Sequence, residues 1–475
     1  MTRLLALAAL YWRQTRRQRD AEKANDMVKT NQPVTKLIAA GKQKRGQVSF
    51  AELGTFHPTK RNAMQMIQTT EKKLIPELVP IRNERMSKSA FAFYRGSLEL
   101  MDYDLNQQPA TGIQVVICGD AHISNFGFFA SPERQLLFDL NDFDESDIGN
   151  WEWDLKRLVV SVILSSDHLK LAPHKLQKLL LKTVASYRLG LKKEFDESVL
   201  QRYYPANDVT DVVRSLPKKK NDPDLINDIV AKAQKRTSEQ VVQKLTTVDT
   251  NGNRRFIDKP PISEHVSNQT YQSLTTHFNA YKQTVHADVA LLLSQYSVTD
   301  AIRHTVGVGS VGTDSFLILL TGLDGSHLVL QVKEAVVPKL AEYSDENSPA
   351  MQLKDISQGE RIVDCQRILQ SVSDPLLGYY TANDKDYYVR QYRDMKESVN
   401  PEELDEQQFK TYAKVCAWIL SVAHAQSPTA AMIRGYVGHA AKFDEAIVNW
   451  SLAYAKQVEK DYQNFLNTQK ISTNK

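Results

Sequence analysis

Residues Val115–Leu158 read VVICGDAHISNFGFFASPERQLLFDLNDFDESDIGNWEWDLKRL, and the rest of the chain is best read outward from them. Val115–Cys118 is a short apolar run rich in β-branched side chains, the pattern of a strand. Gly119 ends it, and the loop Asp120–Asn125 follows. Phe126–Phe129 and Arg134–Leu140 are apolar runs separated by Ser-Pro-Glu-Arg, whose turn chemistry predicts a hairpin. That hairpin ends in Asn141-Asp142-Phe143-Asp144-Glu145, and five acids fall between Asp139 and Asp147. Carboxylates this dense repel one another unless a cation neutralises them. Asp120, Asn125 and Asp142 carry hard oxygen donors of the kind Mg²⁺ takes when substrate phosphates complete its octahedron. A solvated acidic turn is the plain alternative.

At 475 residues, 42% hydrophobic and 24% charged, the chain is long enough for two or three soluble domains with a sizeable core. A net charge of +4 is too small to argue for nucleic acid as a partner. Cys118, Cys365 and Cys416 are scattered and form no CxxC pair. They point to a reducing, cytoplasmic compartment and away from a disulfide scaffold or a zinc site. Near the start, the apolar run Leu4–Trp12 is followed by Arg13, Arg16, Arg17 and Arg19. It is too short to span a bilayer, and no small-residue cleavage region precedes the arginines. It reads as an amphipathic helix, docked or frayed, with peripheral contact to an anionic membrane as the alternative.

The loop GDAHISN resembles the catalytic loop of the protein kinase-like superfamily in its aminoglycoside-phosphotransferase style, Gly-Asp-x-His-x-x-Asn. The resemblance implies that Asp120 orients or deprotonates an acceptor hydroxyl and that Asn125 binds metal. Asp142-Phe143-Asp144, followed twelve residues after Asp142 by Asp154-Leu155, resembles the metal clasp of those kinases; Asp139 fits that spacing less well. Such kinases often carry His just before the Gly-Asp pair, where this chain has Cys118. A calcineurin-like metallophosphatase also begins with Asp-x-His, but its later Gly-Asp and Gly-Asn-His blocks are not found. The lead-in Arg82–Gly96 (RNERMSKSAFAFYRG) and the Cys-Gly-Asp-Ala-His loop are similar to an uncharacterised bacterial family, a domain of unknown function grouped with the kinase-like superfamily. That similarity spans roughly residues 75–465. Arg95 within it either faces a phosphate or caps backbone carbonyls.

Apolar periodicity predicts helices over Ser97–Leu105, Trp151–His168, Leu176–Tyr187, Asp224–Gln234, Gln358–Ser371, Glu403–Gln426 and Phe443–Phe465, with Thr270–Tyr296 the longest pattern. Trp151 and Trp153 read as core. Thr250-Asn-Gly-Asn253 reads as a hairpin turn. KQKRGQ at 42–47 and LPKKKNDPD at 216–224 read as charged loops.

The character changes at Ala301. Ile302–Val306, Phe316–Thr321 and His327–Val332 are β-prone runs with glycine turns between them. Gly307-x-Gly309-Ser310-x-Gly312 lies between two strands, which disfavours a dinucleotide fingerprint. It fits the glycine-rich turn that covers ATP phosphates in kinases, with an ordinary hairpin as the alternative. Lys333 ends the third run, where a kinase lysine grips the α- and β-phosphates. Glu360 is the expected partner of that lysine, with Asp364, one helical turn later, as runner-up. Tyr387–Tyr392 reads as a further strand. His424, at the end of the helix resembling the one that normally feeds the catalytic loop, reads as a packing or capping residue.

In ordinary kinases the glycine turn and lysine precede the catalytic loop. Here they follow it, in unbroken cyclic order. The expected architecture is therefore α+β: a two-lobed, circularly permuted kinase-like fold with a mostly helical large lobe and a small antiparallel β lobe. A cut in an exposed loop makes such permutation tolerable. The expected division is a basic extension over 1–60, the large lobe over 61–299, the small lobe over 300–400, and helices returning to the large lobe over 401–475. The expected activity is ATP- and Mg²⁺-dependent phosphotransfer to an unknown hydroxyl acceptor, a small molecule or a protein. Asp120, Lys333 and Glu360 would be catalytic, Gly307, Gly309, Ser310, Gly312 and Lys333 would bind ATP, and Asn125 and Asp142 would bind metal. AMP transfer, a nucleotide-binding pseudokinase and a metal-dependent phosphohydrolase are the alternatives.

Overall fold

The computed structural model describes residues 30–204, 238–305, 312–343, 356–393, 397–439 and 441–473. The expected terminal helix near Leu4–Trp12, the loop at 216–224 and the helix at Asp224–Gln234 lie outside these residues. The described chain is a mixed α+β structure with small antiparallel sheets.

Helices α1 (Val34–Lys44), α2 (Ala90–Gly96) and α3 (Leu98–Asn106) lead into β1 (Gln114–Ile117). Ser89 caps α2 by accepting from the Ala92 amide. β2 (Phe126–Ala130) and β3 (Leu136–Leu140) form the expected hairpin, with Phe126 opposite Leu140. β4 (Asp147–Asn150) pairs instead with β1, Ile117 opposite Asp147. This antiparallel register decides the site: the loop after β1 and the acidic turn before β4 leave one ribbon at the same end. α4 (Trp151–Ser165) starts where β4 stops and buries Trp151, Leu155, Leu158 and Val159 in the main core. α5 (Pro173–Asp196) packs across it.

A hairpin of β5 (Thr246–Val248) and β6 (Arg254–Phe256) is turned by Asp249, whose Oδ1 accepts from the amides of Asn251 and Asn253. Then come β7 (Ser263–His265), α6 (Asn268–Tyr281), β8 (Tyr296–His304), β9 (Ser315–Gly322) and β10 (His327–Ala335). α7 (Gln358–Leu369), β11 (Gly378–Ala382), β12 (Lys385–Gln391) and β13 (Glu397–Ser398) follow. The main sheet is antiparallel, in the order β11-β12-β10-β9-β8-β7. The helices α8 (Glu406–Ala425), α9 (Ala430–Val437) and α10 (Ala441–Thr473) close the chain.

Strand alternation separates the two faces of this sheet. Phe316, Ile318 and Leu320 pack with Leu274, Phe278 and Tyr281 of α6, whereas Leu317 and Leu319 pack with Val241, Val242 and Phe256. Residues 238–299, expected with the large lobe, therefore belong to the packing of the small sheet. The expected long helix over Thr270–Tyr296 is in fact α6 and a second helix, Ala287–Leu293, and among the described residues α10, with 33 residues, is the longest. The break is tertiary: the Thr284 hydroxyl accepts from the Tyr379 amide of β11 at 2.9 Å, tying the chain to the sheet edge.

The described part of the expected basic extension, from residue 30 on, is also part of the body. Leu37 and Leu53 are buried in the main core, and α1 runs through Lys44 into the anticipated loop. α1 meets α9 through two glycines: a Cβ on Gly41 would lie 1.9 Å from the Met432 carbonyl oxygen, and one on Gly435 would lie 2.0 Å from that of Ile38.

Candidate functional site

Gly119 turns the chain out of β1 with φ +79°, and a Cβ there would lie 2.0 Å from the Glu145 carbonyl oxygen. Only glycine meets both conditions. The turn is held from α4: Asp154 accepts from the amides of Cys118 at 2.7 Å and Gly119 at 3.0 Å. Asp154 also faces His424 Nε2 at 3.2 Å, and Tyr187 Oη lies 2.6 Å from His424 Nδ1. His424 is thus a fully buried structural residue, as its sequence context suggests. Beyond it, Ser427 Oγ accepts from the Val116 amide at 3.0 Å, which sets the end of α8 beside β1.

Asp120 Oδ1 accepts from Arg157 Nε at 2.8 Å. Arg157 is anchored in turn, with Nη2 on the Tyr94 carbonyl at 3.0 Å and its guanidinium 3.8 Å from the Tyr94 ring centre. Burial alone would raise the Asp120 carboxyl; Arg157, through its charge and hydrogen bond, and then Arg95 hold it below its ordinary value. His122 lies 3.7 Å from Asp120 Oδ2, and burial pushes its pKa down to about 3, so the imidazole is neutral near pH 7.

Asn125 Nδ2 donates to the carbonyls of Asp120 at 3.0 Å and Asp142 at 3.1 Å. That commits the nitrogen and leaves Oδ1 as the donor atom for a cation. Asp142 is exposed and has no ion-pair partner among the described residues. Asp120, Asn125, Asp142 and Asp144 line one cleft of about 360 Å³, with Gly312, Thr313 and Lys339 on its rim. Among the described residues no group of three or more His, Cys, Asp or Glu side chains is placed to hold a metal alone. Asn125 and Asp142 would supply two oxygen donors and leave the other positions to phosphate and water, the arrangement Mg²⁺ favours.

Lys333 enters from β10 and its ammonium pairs with Asp144. Tyr388, opposite Lys333 in the β10–β12 register, donates its hydroxyl to Asp144 Oδ1 at 2.8 Å. Burial opposes the Asp144 carboxylate, but Lys333 first, then Arg390 and the Tyr388 hydroxyl, hold its pKa below the usual value. The expected Glu360 partner is corrected here: among the described residues no ion pair joins Lys333 to Glu360 or Asp364. α7 turns Arg361 inward, where it donates to the carbonyls of Ser146, Asp144 and Val336. Consecutive helical residues point about 100° apart at 3.6 residues per turn. Burying Arg361 therefore swings Glu360 off the face that meets the acidic turn.

Of the anticipated phosphate turn, Gly307, Gly309 and Ser310 lie outside the described residues. Gly312 has φ +125°, and a Cβ there would lie 2.2 Å from Leu74 Cδ2, so packing against Leu74 already demands glycine. Asp139, the less favoured clasp, is buried and accepts from the Ser371 amide and hydroxyl at 2.9 Å each. The residues sequence reasoning missed are Arg157, Arg361 and Asp144 as the lysine's partner. Arg157 was signalled: it follows Asp154 by three positions on one helix, so the two share a face.

The same turn contains a carboxyl with a pH consequence. Asp147 is fully buried; Oδ1 accepts from the Ile148 amide at 2.7 Å and Oδ2 has no hydrogen-bond partner. Burial pushes its pKa up to about 7, against the countering charge of Arg361. Because the folded state holds this proton more tightly than the unfolded chain, stability is highest below the unfolded carboxyl pKa and falls as pH rises through 7. Asp147→Asn should therefore gain on the wild type between pH 5 and pH 8, by on the order of 2 kcal/mol in urea denaturation. Any cost of fitting the amide is independent of pH, so a flat difference would refute the buried-proton account.

An α+β protein with an acidic cleft between its sheet and its helical body is the class that fold and site define. Among the described residues no helix is long and apolar enough to cross a membrane. The chain belongs to an uncharacterised protein family conserved in bacteria (DUF2252), whose model matches residues 74–468. Comparison with curated proteins and with solved structures finds no match to either.

Proposed function

We propose that the protein is an ATP- and Mg²⁺-dependent phosphotransferase built on a circularly permuted kinase-like fold. The observation that carries this reading is the pairing of Lys333 with Asp144, two residues from Asp142 and in the cleft that Asp120 lines. Segments 189 positions apart thereby close on one space, as the kinase resemblance requires. The placement of the α8 end beside β1 supports the permuted connection.

In this reading Asp120 orients the acceptor hydroxyl through Oδ2 while Arg157 holds Oδ1. A carboxylate kept below its ordinary pKa is a weak base, so its contribution is alignment more than proton removal. Bound Mg²⁺, held by Asn125 and Asp142, would neutralise charge developing on the phosphates. Lys333 would exchange part of its contact with Asp144 for nucleotide phosphate. The test is calorimetry with a non-hydrolysable ATP analogue, with Mg²⁺ and with EDTA. Mg²⁺-dependent binding is expected, and its absence would overturn the reading. The mass added to an acceptor, phosphate or nucleotide, separates phosphotransfer from AMP transfer.

A further inference from the structure

Four cations line the cleft: Lys73, Arg82, Arg95 and Lys339. Three face carboxylates. Lys73 lies 2.7 Å from Glu342, Arg82 lies 3.5 Å from Glu71, and Lys339 lies 3.7 Å from Glu99. Arg95 is different. Among the described residues it has no ion-pair or hydrogen-bond partner, its buried Nε meets no protein acceptor, and its guanidinium lies 5.8 Å from the Phe91 ring centre. A buried donor without a partner costs the full desolvation of that group, so native structures usually satisfy it with protein, water or a ligand.

The surroundings say what that ligand carries. Burial disfavours the Arg95 charge, and Asp120 is the first carboxylate to offset this, with Asp142 acting in the same sense. Arg95 therefore stands within reach of the fields of both the acceptor-orienting and the metal-holding residue. A planar guanidinium that no carboxylate engages can bind two oxygens of a phosphoryl group. Lys333 is already tied to Asp144, which leaves Arg95 as the lining cation with no ion pair among the described residues.

We infer that Arg95 holds the terminal phosphoryl group of the nucleotide at the point of transfer, between Asp120 and the metal donors Asn125 and Asp142. This rests on the phosphotransferase reading. It assigns to a residue of the lead-in helix α2 the charge that the catalytic loop itself lacks, since His122 is neutral.

The test compares affinities for Mg²⁺–AMP-PNP and Mg²⁺–ADP in the wild type, Arg95→Met and Arg95→Lys. The wild type should prefer AMP-PNP. Arg95→Met should lose roughly 10- to 100-fold for AMP-PNP and little for ADP, and Arg95→Lys should recover part of the preference. Taking the ratio within one variant cancels any partial loss of fold. Unchanged AMP-PNP affinity, or equal losses for both nucleotides, would overturn the inference and leave the phosphotransferase reading standing. Weakened binding of inorganic phosphate to the ADP-saturated protein, with AMP-PNP unaffected, would move the anion to the acceptor and also overturn it. A wild type that binds neither nucleotide would sink both.

Discussion

Asp142→Asn is expected to remove Mg²⁺-dependent ATP turnover, by roughly 10³-fold or more. Asp142 is exposed in the cleft with no ion pair among the described residues, so its charge is available to a cation and not consumed in folding. A divalent ion at a transferring phosphoryl group supplies several kcal/mol of charge stabilisation, and each ~1.4 kcal/mol is tenfold in rate. Asparagine keeps the shape and removes the charge. The backbone carbonyl of Asp142, which accepts from Asn125, is untouched, so the turn itself should persist. ADP release measured over a range of Mg²⁺ concentrations checks this, and turnover equal to the wild type would exclude Asp142 as the metal donor.

Lys333→Met should cost about 3 kcal/mol of stability in chemical denaturation. Breaking a buried ion pair on one side typically costs ~3–5 kcal/mol. The lower end applies because the Lys333 side chain is 5% exposed but that of Asp144 is 27% exposed. The double variant Lys333→Met with Asp144→Asn should recover much of the loss, since it leaves no unpaired charge. The pH dependence follows from both partners. Asp144 is depressed, so its contribution is present above the unfolded carboxyl pKa and is lost as pH falls through the folded one. Lys333 is raised, so its contribution is full below the unfolded ammonium pKa and is lost only at strongly alkaline pH. The difference between wild type and variant should be flat from about pH 5 to 9 and shrink in acid below about pH 4. A difference that grows in acid would contradict the pairing.

Much of the site was legible because its signals are local. Gly119 announces a turn, the spacing of Asp120, Asn125 and Asp142 marks hard oxygen donors, and the β2–β3 hairpin follows from two apolar runs around Ser-Pro. The strands carrying Lys333 and Tyr388 could be placed by alternation alone. Other features were not legible. The apolar face of α6 shows that something covers it, but nothing in its own sequence says that the cover is β11 and not the helical body. Glu360 and Arg361 are adjacent, and helical periodicity identifies both as helical without stating which one points at the acidic turn.

By itself the sequence marked most of the elements around Val115–Leu158 and the order of the glycine turns, acidic turn and Lys333 along the chain, because backbone preference and side-chain period act within a few residues. Only the tertiary structure decided that β4 pairs with β1, that Asp144 takes Lys333, and that Arg95 has no ion-pair partner among the described residues. Those choices turn on how helices rotate and strands register against partners far away in the chain, where burial of one side chain, here Arg361, excludes its neighbour from the same contact.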